Sequence, residues 1–364
     1  RNYSILQTVF FQGLLEEDDN DTIPFSPIYT RNHVELDRGL IPGFSDSRLW
    51  ASFDGFVIDR EIGAENQRAS SSVGISLPYI TKGGHILEFE ASARGDYFNQ
   101  DSTTASNSTD ETRVIPEASL SWKYPLLNDF GNNGKFVIEP NIKVVAAPNS
   151  RYNDDIVNED SQDVEFSDLN LFSNNKFRGI DRVESGTRIH YGLKGGVYQD
   201  DVSLTYNLGQ NYRPREDNSF GTNTGLNDNF SDYVGRIGID LYDRFDLSYR
   251  FRFDKEDFQA RRSQFDANVD LDRVELNLSY LFLDFDILDP DAKREEISGN
   301  MAIGITNEWD LLLGGRRNLG ENSNVDAHAG LRYESDCLSI TTRFRKEFIS
   351  DRDVDAGTSF DVQI

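Results

Sequence analysis

The 364-residue chain holds one cysteine, Cys337, so no disulfide can form within it. A fold stapled by disulfides is excluded. A lone Cys in an exported chain points to a partner outside this segment or to a free thiol. No run approaches the ~18 apolar residues of a membrane-crossing helix, which excludes helical membrane proteins. That absence does not touch membrane β-barrels, where only alternate residues meet lipid. Basic residues are scarce: Lys and Arg number 37 against 63 Asp and Glu, a formal net charge of -26. Such a balance argues against a nucleic-acid partner. No charged n-region followed by an apolar stretch opens the chain at Arg1. The expectation is therefore no signal peptide and, for an exported protein, an internal fragment or a processed form.

Chemistry-bearing motifs are equally sparse. The histidines, His33, His85, His190 and His328, show no metal-ligand spacing, and no Gly-x-Ser-x-Gly elbow is present. Asp266, Asn268 and Asp270 resemble the start of a calcium loop, but Leu271 and Asn277 stand where Gly and Glu are needed. The expectation is no enzyme, no catalytic residue, no metal and no cofactor. The acidic loops read as solvated surface. An alternative is that they bind divalent cations bridging anionic lipid heads.

What the sequence has in quantity is period-2 alternation. In Arg244–Asp254, Phe245, Leu247, Tyr249, Phe251 and Phe253 point one way, and Asp246, Ser248, Arg250 and Arg252 the other. Gln264–Leu271 alternates likewise, with Asp266, Asn268 and Asp270 on its polar face. Hairpins close at Gln199-Asp200, Tyr242-Asp243, Asp272-Arg273, Thr306-Asn307 and Ser335-Asp336. Longer polar loops separate them: 210–232, 255–263, 284–296, 318–325 and 349–358. Short turn, long loop, repeated, is the rhythm of an outer-membrane barrel, with short turns in the periplasm and long loops outside. A soluble β-sandwich has no reason to keep that parity.

The first half keeps it too, with strands expected at 3–14, 28–37, 48–59, 67–77, 85–97, 112–124 and 135–147. The acidic Glu16–Asp21 and the low-complexity Asn99–Glu111 fall outside. The expected fold is all-β: an antiparallel transmembrane outer-membrane β-barrel with about 18 strands present. Polar faces, including Arg250, Arg252, Asp266, Asn268 and Asp270, are expected toward a wet lumen.

One stretch breaks the pattern. Asn158–Gly186 is too irregular for a strand, yet it carries Val164, Phe166, Leu169, Leu171, Phe172, Phe177 and Ile180. A solvated loop has no need of them, so this segment reads as an external loop folded into the barrel. Within it, Asp181-Arg182 has two readings. It is a local ion pair in a turn, or, with Gly179 bending the backbone, it fixes the loop to the lumen wall.

This stretch resembles the middle of the lipopolysaccharide-assembly barrel, the LptD or organic-solvent-tolerance family. There an Asp, a Leu-Phe pair, a Phe, a Gly and an Asp-Arg pair precede a strand. Asp168, Leu171, Phe172, Phe177, Gly179, Asp181 and Arg182 fill those places. Two flanking stretches are similar: Phe10–Pro24 (FFQGLLEEDDNDTIP) and Tyr333–Phe344 (YESDCLSITTRF). The resemblance implies a non-enzymatic translocon in the bacterial cell outer membrane that exports lipopolysaccharide and inserts it into the outer leaflet. It implies a barrel of about 26 strands, a lipoprotein plug of the LptE type, and a periplasmic bridge reached through an N-terminal jellyroll. On that reading, residues 1–364 are a single barrel-domain fragment lacking the jellyroll and the first strands. It also implies that Cys337 forms a disulfide with a Cys outside this chain. A general diffusion porin of about 16–18 strands is the other reading.

Overall fold

A computed structural model describes residues 2–8, 25–37, 41, 43–60, 65–101, 108–131, 133–150, 152–161, 164–217, 219–221, 223–285, 293–350 and 356–364. Its regular elements are all strands: β1 Tyr3–Thr8, β2 Phe25–Asp37, β3 Arg48–Arg60, β4 Asn66–Ile80, β5 Ile86–Asp101, β6 Ser108–Lys123, β7 Leu126–Phe130, β8 Gly134–Ala146, β9 Arg188–Gln199 and β10 Val202–Tyr212. They continue as β11 Tyr233–Leu241, β12 Phe245–Phe253, β13 Ala260–Leu271, β14 Val274–Leu283, β15 Arg294–Gly304, β16 Trp309–Asn318, β17 Ser323–Ser335, β18 Leu338–Glu347 and β19 Thr358–Gln363.

Each strand pairs antiparallel with its sequence neighbour, in one sheet. The exception is informative. Pro125 supplies no N–H, so the ladder breaks after Lys123 and resumes at Leu126. β6 and β7 then pair with successive parts of β8. Among the described residues nineteen strands therefore occupy eighteen places, with β7 an extra short strand before β8. Among the described residues no ladder joins β1 to β19.

Register explains the two faces. Arg250 sits opposite Arg236 and Gln264, Ser248 opposite Gly238 and Asp266, and Asp246 opposite Asp240 and Asn268. Polar side chains thus form continuous rows across β11, β12 and β13. The opposite rows are apolar and open: Phe53, Val73, Val114 (68 % exposed), Ile237, Phe265, Leu278 and Phe344 (54 % exposed). In water such a surface would be a standing cost, whereas hydrocarbon is its natural solvent.

Antiparallel order puts the longest connection, β8–β9, and most of the longer ones at one end and, the ten-residue β2–β3 connection apart, the tight turns at the other. At the tight end, Tyr242 and Asp243 take φ of 57° and 53°, the left-handed geometry that matches strand twist in a short hairpin. Asp336 and Cys337 form the two-residue turn between β17 and β18, with Ser335 paired to Leu338. Cys337 thus lies one residue beyond the expected Ser335-Asp336 turn, within the turn itself, and is exposed. The expected strand end at 9–14, the acidic run Glu16–Asp21 and the whole of Phe10–Pro24 lie outside the described residues, as does 102–107 of the low-complexity segment.

Candidate functional site: a loop strapped across the polar face

The buried apolar cluster of this sheet is built around a loop. Val164, Phe166 and Leu171 from the β8–β9 connection meet Phe220 and Leu226 from the β10–β11 connection and Val234 of β11, with Phe172 and Phe177 against them. Phe177 stacks on Phe220, centroids 4.7 Å apart. The wall beneath is made of glycine where the loop touches it. A Cβ at Gly209 would lie 2.5 Å from Leu171 Cδ2, and one at Gly192 3.3 Å from Phe172 Cζ. Glycine at these two paired positions of β9 and β10 lets the Leu-Phe pair seat directly on the backbone.

Around this seat the loop is tied to three stretches of the sheet. The first tie is to β3–β6. Arg68 of β4, 3 % exposed, bonds Asp181 and lies 2.9 Å from Asp160, while its other nitrogen reaches Asp54 at 3.1 Å. Arg113 of β6 donates to the carbonyls of Ile180 (2.5 Å) and Asp181 (2.7 Å), and is itself held by Asp96 at 2.6 Å. Arg94 adds a bond to Ile180 O at 3.0 Å.

The loop is shaped to present these groups. Asp181 Oδ2 accepts the N–H groups of Glu159 (2.6 Å) and Asp160 (3.0 Å), and Asp160 Oδ1 accepts those of Ile180 (2.9 Å) and Asp181 (3.1 Å). Gly179, φ 77°, closes this reciprocal knot, and a Cβ there would land on the Asp160 side chain. Burial, opposed by Arg68 and reinforced by neighbouring Asp160, raises the Asp181 carboxyl above its ordinary value. For Asp160, burial is outweighed by Arg68 and two backbone N–H groups, and its carboxyl is lowered.

The second tie is central. Glu184 is buried and ringed by Lys176 (3.4 Å), Arg213 (2.6 Å) and Arg188 of β9 (3.6 Å), and Arg188 also reaches Glu117 of β6 at 2.6 Å. Burial works against the Glu184 carboxylate, but these three cations hold it down to about 2. Burial in turn pushes the Lys176 ammonium down to about 8, with Glu184 pulling the other way. Asn211 of β10 completes the knot, its amide accepting from Lys176 at 2.9 Å and donating to His190 Nδ1 at 2.7 Å.

The third tie is to β12–β13. Arg250 lies 2.7 Å from Asp168, Arg262 2.9 Å from Glu165, and Arg252 3.4 Å from Asp232. Arg252 also donates to the carbonyls of Asn223 and Thr224, at 2.8 and 3.2 Å.

The motif residues singled out in the sequence thus sit at the contact points, but not all as expected. Asp181 and Arg182 do not pair. Asp181 binds Arg68, 113 residues away in sequence, whereas Arg182 stays within the loop and donates to Asn153 O at 2.6 Å. Asp266 accepts from Gln264 (2.8 Å) and Ser279 (2.7 Å), and Asn268 donates to Asp246 at 3.3 Å. With Asp270 they share the face of Arg250 and Arg252 without touching the loop. Sequence reasoning missed Arg68, Arg94, Arg113, Arg188, Lys176 and Glu184. It also missed that the 210–232 connection folds in. Phe220 and Leu226, apolar residues in a polar loop, were the available signal.

A protein-family model, LptD: LPS transport system D, matches residues 2–309. The chain belongs to the LptD family. Curated relatives carry the name LPS-assembly protein LptD. That of Pseudoalteromonas translucida is 22% identical over 271 residues, covering 68% of this chain and 33% of the relative. That of Vibrio cholerae is 28% identical over 144 residues, 37% of this chain and 18% of the relative. An Escherichia coli LptD is 23% identical over 367 residues, 92% of this chain and 46% of the relative. The chain thus spans about half the length, or less, of the curated relatives it matches. A crystal structure of the ferric enterobactin receptor PfeA superposes with a TM-score of 0.45 at 9% identity, covering 89% of this chain and 58% of that one, a likeness too loose to carry a conclusion. Membership in the LptD family places the chain in the bacterial outer membrane, as an antiparallel transmembrane β-barrel sheet.

Proposed function

We propose that this chain is the barrel part of a translocon that exports lipopolysaccharide and inserts it into the outer leaflet, working by conveyance and not by catalysis. The observation that carries the reading is the strap: four of the loop residues that match the family's pattern, Asp168, Leu171, Phe172 and Asp181, tie the loop to the sheet. The loop-bearing face lines the lumen: on it Arg250 and Arg252 hold the loops, and Asp266, Asn268 and Asp270 offer hydrogen bonds to a hydrated saccharide. The strapped loop closes the outer part of that lumen until cargo arrives. On this reading an LptE-like lipoprotein plug fills the remaining space. A periplasmic bridge protein delivers lipopolysaccharide through a domain outside these residues, and Cys337, at the tight-turn end, pairs with a cysteine of that domain.

The test is replacement of Phe172 by Asp in the full-length protein, in cells depleted of the native copy. A buried charge over Gly192 should unseat the loop, lower surface lipopolysaccharide and admit large antibiotics. Normal antibiotic exclusion together with normal plug binding would sink the reading.

A further inference from the structure

We infer that Arg343 and Arg345 of β18, with Arg316 of β16 and His328 of β17, form a binding site for the phosphate groups of a glycolipid head on the loop-bearing face. This rests on the export reading above and names the chemistry of one station on that face.

The share of acidic side chains on this face is greatest toward the tight turns. There the face carries Asp240, Asp246, Asp270, Glu275 and Asp310, several lining open clefts of about 610 and 720 Å³. Toward the long loops it carries Arg316, Arg343 and Arg345, interleaved with the carboxylates of Asp326 and Glu347 and with Asp361 of β19 opposite Arg343, in a chain whose formal net charge is -26. On β12 and β13 the arginines of this face are committed to the strap. On β16–β18 they are not.

Among the described residues Arg343 makes no ion pair and no hydrogen bond, and its Nε is buried without a partner. The nearest carboxylate to Arg345 is Glu347 at 3.9 Å, a distance too long for a hydrogen bond. His328 Nδ1 is buried and also lacks a hydrogen-bond partner, with Asp326 3.9 Å away. Arg316 leans on Asp326 at 3.4 Å.

Register brings these groups together. His328 is opposite Arg345 and Gly314, and Arg343 is opposite Gly330. A Cβ at Gly314 would lie 2.5 Å from His328 Cε1, so the imidazole lies across a glycine. Gly330 leaves the place opposite Arg343 without a side chain, while the imidazole covers Gly314. Unpaired, partly buried guanidinium groups are costly, and an anion offsets that cost. A guanidinium presents a planar fork that matches two phosphate oxygens, and a phosphomonoester carries close to two negative charges near neutral pH. The acidic tight-turn end repels the same group, so an anionic head is favoured at the outer end of the face.

The experiment uses the full-length protein with its plug in detergent. Binding is measured for a diphosphorylated glucosamine-disaccharide lipid, its dephosphorylated counterpart and inorganic phosphate. The phosphorylated lipid should bind about tenfold or more tightly than the dephosphorylated one, as expected for one charge-assisted contact. Arg343→Ala should erase most of that preference, and Arg343→Lys should restore only part of it. Arg345→Ala serves as the second variant, and heat-dependent electrophoretic mobility reports whether each barrel is folded. Equal binding of the two lipids, or a preference untouched in both alanine variants, overturns the site. Displacement of the lipid by inorganic phosphate at equal concentration assigns the pocket to a free anion and overturns the glycolipid assignment. Binding is read without export, so an export failure of the Phe172→Asp protein with head-group binding intact counts against neither variant result.

Discussion

Arg68→Ala removes the cation that, among the described residues, holds the Asp160 and Asp181 carboxylates of the loop to the wall. Asp181 is fully buried and Asp54 nearly so, and both lose a charged partner at once. Breaking a buried pair from one side costs roughly 3–5 kcal/mol. Here the lower part of that range applies, because Asp181 and Asp160 keep their backbone N–H donors and Asp54 keeps Arg31 at 3.0 Å. A cost of about 3 kcal/mol shifts the loop-opening equilibrium by about a hundredfold. The sheet ladders are not touched, so opening should be local. The assay is hydrogen exchange at the amides of Glu159, Asp160, Ile180 and Asp181, which the two carboxylates hold. These should lose about a hundredfold of protection while strand amides keep theirs. The sign of the pH response follows. The Asp181 carboxyl is already raised by burial, and loss of Arg68 raises it further. A raised carboxyl favours the docked, protonated form, so protection in the variant should partly recover as pH falls through that value. Loss of protection below about threefold, or loss spread equally over the strands, would falsify the claim that Arg68 is the tie.

Four further outcomes are expected. Gly209→Leu should displace Leu171 from its seat at a cost of about 1–3 kcal/mol from overpacking, read as faster proteolysis within 164–177; unchanged cleavage would mean that the glycine floor is incidental. The central tie should weaken in acid: Glu184, held down to about 2 from an ordinary value near 4.5, contributes on the order of 3 kcal/mol to the docked loop above pH 4.5, lost progressively as pH falls toward 2. Exchange of the Lys176 and Glu184 amides across that window checks it, and a flat profile would count against the pair. Phe251→Arg, on the apolar face, should cost roughly 2–4 kcal/mol of barrel stability near the bilayer midplane, whereas labelling of single-Cys variants should reach position 250 from the water side and 251 from lipid. Cys337→Ser in the full-length protein should abolish a disulfide visible in non-reducing electrophoresis, and unchanged mobility with no linked peptide by mass spectrometry would leave Cys337 a turn residue.

The sequence by itself determined whatever depends on a two-residue period. Strand positions, the polar and apolar faces, hairpin turns such as Asp272-Arg273 and the alternation of short and long connections all follow from side chains pointing alternately up and down. Edges moved where backbone chemistry intervened. Pro125 split one strand in two, and β13 gained residues before Gln264 beside an irregularity at Arg252/Phe253. The loop announced itself because Leu171, Phe172 and Phe177 have no local reason to be in a polar segment.

What it touches was a different matter. Arg68, Arg113 and Arg188 look like ordinary polar-face residues, and Gly192 and Gly209 look like weak points in strands. Only the tertiary structure brings Asp181 to Arg68 across 113 residues and sets Leu171 on Gly209. A strand period fixes which face a side chain points to. It carries no information about which loop comes to lie over that face, and that pairing was decided by the closing of distant charges and by the space glycine leaves.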